Sequence, residues 1–110
     1  MHKPIRSVLG IVMMLFALNS YAIQVSVSSS SNGVAALGFT VNGKNHGGAG
    51  KSYSNSDVPA GSYSFGVRVG GLLGKDVGCT VKGNGNVTLT KDASVTLNYN
   101  GKTCTAKIAS

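Results

Sequence analysis

The 110-residue chain has no tryptophan, only two histidines and two prolines, and three acidic residues, all of them aspartate. These scarcities exclude several chemistries. His2 falls in the extreme amino terminus, so His46 stands without a second ligand at metal-binding spacing, and no metal centre is expected. Asp57, Asp76 and Asp92 each stand alone in turn-like surroundings, where aspartate is favoured for its hydrogen bonds to the backbone. His46, Asp57 and the many serines supply the residue types of a hydrolytic triad, but no nucleophile-elbow sequence accompanies them. The chain is therefore read as not an enzyme, and no cofactor is expected. Beyond residue 22 no window of 11 or more residues carries the 3.6-residue period of an amphipathic helix.

The chain also lacks an apolar run of about 20 residues, the length needed to span a bilayer. The apolar stretch Val8 to Leu18 is shorter and follows a basic segment with Lys3 and Arg6. Ser20 and Ala22 then place small residues three and one before Ile23. This is the pattern of a cleaved signal peptide over residues 1–22, with Ile23 where a lipoprotein would need cysteine. The product is expected to be exported, periplasmic or extracellular, with no transmembrane anchor in the mature chain and a single domain over 23–110.

Removing 22 of 110 residues leaves 88, enough for a thin core. Both cysteines, Cys79 and Cys104, lie in that part, and an even count in an exported chain points to a disulfide. Of ten Lys and Arg, eight remain against three Asp, so the mature chain is basic by five. An excess of this sign favours anionic partners and solubility alike.

Period-two alternation identifies the strands. Tyr63, Phe65, Val67 and Val69 share one face of Ser62 to Val69, after the turn Val58-Pro59-Ala60-Gly61. Val77-Cys79-Val81, Val87 to Thr90, Val95 to Tyr99 and Cys104 to Ile108 read as a meander of four short strands with both cysteines inward. Turns are expected at Lys82 to Asn86, at Asp92-Ala93 and at Asn100-Gly101, the last of type I′. The tripeptide Val-Thr-Leu, at 87 and again at 95, is read as the two arms of one hairpin. Ile23, Val25 and Val27 mark a first strand, and Ala35, Leu37, Phe39 and Val41 a second, which Asn42-Gly43 turns. Lys44 to Ser56 is glycine-rich and predicts an edge strand or a mobile loop. The expectation is an all-β fold, a small antiparallel β-sandwich of about seven strands.

Asn45 to Ser52 imitates a phosphate-binding P-loop, but Asn45 replaces its first glycine and no helix follows Lys51-Ser52, so a glycine-rich loop is the better reading. Leu72 and Leu73, set between glycines beside Lys75, belong to no alternating pattern and could form a binding tip or plug the end of the core. Arg68, Lys82 and Lys107 are expected to point outward from strands. Nucleic acid is disfavoured as a partner because only Tyr53 is expected to be free for base stacking. Asn86-Val87-Thr88 fits a glycosylation acceptor. Together these features suggest an exported, non-enzymatic binding module. Its candidate contact residues are Arg68, Leu72, Leu73, Lys75, Lys82 and Lys107. The partner would be a protein or an anionic surface component: a lipid head group, lipopolysaccharide or a glycan. A toxin-like or antimicrobial effector and a structural assembly subunit are the alternatives.

Overall fold

The computed structural model describes residues 22–71 and 74–109. The expected leader therefore lies outside the described residues except for Ala22, which opens the first strand. Among the described residues nine strands follow one another: β1 Ala22–Ser28, β2 Val34–Val41, β3 Lys44–Ala49, β4 Ser52–Pro59, β5 Gly61–Val69, β6 Lys75–Thr80, β7 Val87–Leu89, β8 Ala93–Tyr99 and β9 Cys104–Ala109. Among the described residues there is no α-helix.

The expected sandwich is not what forms. The strands build one sheet in the order β3-β2-β5-β6-β9-β8-β1-β4, with β7 paired to the start of β5, and this sheet curls into a nearly closed barrel. It is mixed rather than antiparallel, because β1 runs parallel to β8 and β6 parallel to β9. The expected meander also fails: β6 pairs with β5 and β9, and of the four strands expected to form it only β8 and β9 are joined as a hairpin. The two Val-Thr-Leu segments consequently lie on different partners, β7 against β5 and β8 between β9 and β1. Matching alternation shows which face of a strand is buried; it does not choose the neighbour.

The alternating residues supply the core as expected. Ile23, Val25, Val27, Val58, Tyr63, Val95 and Leu97 are almost fully buried, with Phe39, Phe65 and Val67 beside them. Each large apolar side chain removed from water contributes roughly 1.5–3 kcal/mol, so this inner face carries much of the stability. Ala35 is an exception among the residues expected inward. The register between β2 and β5 slips between Val34 and Ala36, which places Ala35 at a bulge and Val34 in the core instead. Tyr63 is wholly buried, and its hydroxyl donates to the Pro59 carbonyl, tying β5 back to the end of β4 across the Ala60 corner. Burial raises the Tyr63 phenol above its ordinary pKa of 10.0.

Turn chemistry follows the sequence in part. Asn42 and Gly43 both take positive φ, 52° and 77°, which is the type I′ geometry expected of Asn-Gly. Lys82 and Gly83 do the same, at 50° and 85°, so Lys82 occupies a tight turn between Val81 and Asn84 rather than a strand. Asn100-Gly101 differs from expectation. Only Gly101 has positive φ, and the Asn100 carboxamide oxygen instead accepts hydrogen bonds from the backbone N–H groups of Lys102 and Thr103. The local side-chain bond replaces the two-residue turn.

Cys79 and Cys104 form the expected disulfide, with Cα atoms 4.4 Å apart. They are direct partners across β6 and β9, a junction whose register extends over only Cys79↔Cys104 and Thr80↔Thr105. The covalent link therefore reinforces the shortest junction along the sheet's main path.

Candidate functional site

Four mid-strand glycines line up across the outer face of the sheet. Gly47 on β3 is the register partner of Gly38 on β2, Gly38 of Gly66 on β5, and Gly66 of Gly78 on β6. Leu37, Phe39, Phe65 and Val67 point inward on either side of them, so the row faces outward. An open concavity of about 490 Å³ lies over Gly47, Gly38 and Gly66. One wall is Ala36, Arg68 and Asp76; the other is Thr40, Asn45 and Ser64. The walls lie four residues apart along the strands, about 13 Å between their backbones, and the row crosses four strands over about 14 Å. The patch is thus about as long across the strands as it is wide along them.

The glycines have different reasons for being there. A Cβ on Gly38 would collide with the His46 carbonyl oxygen, and one on Gly47 would come within 2.6 Å of the Leu37 carbonyl oxygen. Close approach of β2 and β3 thus forbids side chains at both positions. A Cβ on Gly66 would sit 3.2 Å from the Val77 carbonyl oxygen, which is tight. A Cβ on Gly78 would meet nothing within 4 Å, and Gly78 is not among the residues of positive φ. Glycine in a strand interior is destabilising, so the fold alone gives no reason for Gly78.

The walls carry hydrogen-bonding groups of mixed kind. Thr40 donates to the Asn45 carboxamide oxygen at 2.5 Å. Arg68 donates from Nε to Asp76 Oδ1 at 3.0 Å and from Nη2 to Asp76 Oδ2 at 3.3 Å. The charge of Arg68 is therefore balanced locally, in a pair whose two side chains remain substantially exposed.

The other candidate residues do not converge on this place. Lys75 begins β6 near Arg68, whereas Lys82 lies beyond the opposite end of that strand. Parallel pairing of Thr80 with Thr105 brings Lys107, two residues further along β9, toward the Lys82 end. The basic residues thus divide between two ends of the sheet. Leu72 and Leu73 lie outside the described residues. Asn86 is exposed just before β7.

His46 belongs to a different feature, the seam between the two end strands β3 and β4. Its ring nitrogen Nδ1 lies 3.5 Å from Asn55 Nδ2, and Asn55 also donates to the Tyr53 hydroxyl at 3.0 Å. Tyr53, expected to be the free aromatic, is half-buried here, 5.9 Å from Phe39 between ring centres. The P-loop-like stretch Asn45 to Ser52 is strand β3, a bend and the start of β4, without a helix to direct amides at phosphate. Among the described residues, no three His, Cys, Asp or Glu side chains gather to hold a metal ion. Among the same residues no helix is long and apolar enough to cross a membrane.

The glycine-floored concavity was missed from sequence, although one part of it was readable there. A two-residue turn at Asn42-Gly43 makes Gly38 and Gly47 register partners. No known protein family matches the chain, and no curated protein or solved structure matches it either.

Proposed function

We propose that the chain is an exported, non-enzymatic binding module that holds a cell-surface glycan in the concavity across β3, β2, β5 and β6. The observation that carries this reading is the pairing of a side-chain-free floor with polar walls. The backbone groups of β2 and β5 at Gly38 and Gly66 face neighbouring strands on both sides, so a peptide lying there would find few free backbone partners. A sugar ring has the complementary distribution: apolar C–H faces to lie on glycine and a rim of hydroxyls to reach Thr40, Asn45, Ser64 and Arg68. With no exposed aromatic ring among the lining residues, affinity would rest on hydrogen bonds and be modest.

The experiment is an NMR titration of the disulfide-intact protein with neutral and acidic oligosaccharides, repeated with Ser64→Leu. Shifts confined to Gly38, Thr40, Ser64 and Gly66, and lost in the variant while its melting temperature is kept, are expected. Shifts that instead track Lys82 and Lys107 and vanish in salt would move the binding surface to the basic end of the sheet.

A further inference from the structure

The barrel closes everywhere except between β3 and β4, the two ends of the strand order. Among the described residues no ladder joins them, and the Asn55–His46 approach crosses the seam through side chains. Both strands therefore keep a free backbone edge, and the two edges differ. The β1–β4 register carries a bulge, and β4 contains Asp57 and ends in Pro59, all devices that discourage further pairing. Strand β3 runs in unbroken register with β2, has no proline, and bears a single charge, Lys44, at its first position.

The groups that β3 offers follow from its turn. In a two-residue hairpin the flanking pair, Val41 and Lys44, exchanges backbone hydrogen bonds. Lys44, His46 and Gly48 then direct N–H and C=O toward β2, while Asn45, Gly47 and Ala49 direct theirs toward the free edge. The Gly50 N–H bond to the Ala35 carbonyl, at 2.8 Å, has the same parity.

We propose that this edge pairs with itself: two copies of the chain join through antiparallel β3 strands centred on Gly47. In that register Gly47 faces the partner's Gly47, Asn45 faces the partner's Ala49, and His46 faces the partner's Gly48. Every larger side chain is opposite glycine or alanine, and Lys44 falls opposite the partner's Gly50 rather than a like charge. The hydrogen-bonding parity fits as well, since Asn45, Gly47 and Ala49 are the residues that meet across the dyad. One consequence is geometric: the outer glycine row runs through the dyad from Gly78 of one copy to the partner's Gly78, so the two concavities become one longer groove. The self-pairing does not depend on the glycan reading, because it rests on the edge alone.

The test combines sedimentation of the disulfide-intact protein over a wide concentration range with amide hydrogen exchange read residue by residue. The expected result is a concentration-dependent dimer in which the Asn45, Gly47 and Ala49 amides slow by about tenfold or more on dimerisation, while His46 and Gly48 exchange slowly throughout. Ala49→Pro deletes one edge N–H that β2 does not use, and it should weaken the dimer by about tenfold or more. A strictly monomeric protein, or a dimer whose edge amides stay unprotected, overturns the proposal. So does concentration-independent protection of Gly47 together with Ser54, which would mean that β3 zips to β4 within one chain. If Ala49→Pro does not fold, the wild-type exchange pattern decides alone.

Discussion

Replacing the four glycines of the outer row one at a time by alanine should produce changes of opposite sign, although all four are mid-strand residues on one face. At Gly38 the new Cβ meets the His46 carbonyl oxygen and the Gly47 Cα at 2.8 Å, so the backbone of β2 or β3 must shift. Overpacking against backbone costs typically 1–3 kcal/mol and sometimes more, and neither strand can rotate a carbonyl out of a ladder it shares, so about 3 kcal/mol is expected for Gly38→Ala. Gly47→Ala should cost nearly as much, with its contact at 2.6 Å to the Leu37 carbonyl oxygen. Gly66→Ala, at 3.2 Å from the Val77 carbonyl oxygen, should lie near neutrality, where the gain in chain stiffness offsets a slight displacement. Gly78→Ala meets nothing within 4 Å and should stabilise by about 0.4–1 kcal/mol, because alanine restricts the unfolded chain without strain in the folded one. Urea unfolding of the four variants measures the series. A destabilisation at Gly78 as large as at Gly38 would refute the reasoning, since it would show that something other than steric approach keeps the row free of side chains.

Two further outcomes follow from the core and its staple. Reducing Cys79–Cys104 opens a 26-residue loop and should remove roughly 3–4 kcal/mol, a large share of a net stability of about 5–15 kcal/mol, so a thermal melt in thiol should shift strongly downward. An unchanged melt would mean that the β6–β9 junction holds without its bridge. Because the folded state raises the Tyr63 pKa above 10.0, its contribution is fully present below about pH 10 and is lost as pH rises through the folded value, where the unfolded chain ionises first. Tyr63→Phe should cost about 1 kcal/mol at neutral pH through the lost bond to Pro59, and should flatten the alkaline fall. Equal alkaline slopes in the two proteins, read by urea unfolding between pH 8 and 11, would assign that fall to other groups.

Local pattern was enough to place most strands. Where apolar and polar residues alternate, as in Ser62 to Val69 and Val95 to Tyr99, only one face can be buried without stranding polar groups, and the structure buries Tyr63, Phe65, Val67, Val95 and Leu97 accordingly. The segment Lys44 to Ser56 was less legible because Gly47, Gly48 and Gly50 weaken any strand signal. Two strands form there because Asn42-Gly43 folds β3 onto β2 while β1 captures β4. Asn100 shows the opposite limit, since the same dipeptide type that makes a type I′ turn at 42 builds a side-chain-capped loop at 100.

The sequence by itself determined the strand-rich class, the inward faces, the inward cysteines and the Asn42-Gly43 turn, because each depends on residues close together along the chain. Only the tertiary structure decided that β6 lies parallel to β9 and β1 to β8, that the sheet curls instead of splitting into two layers, and that Arg68 and Lys75 lie at one end of β6 while Lys82 and Lys107 lie toward the other. It also brought Gly66 and Gly78 into line with the Gly38–Gly47 pair, which makes Gly47, Gly38 and Gly66 the floor of one concavity and lets Gly78 continue the row beside it. The physical reason is that period-two patterning specifies which side of a strand meets the core but leaves its partners open. Strand order is settled by which set of pairings buries the whole inner face at once.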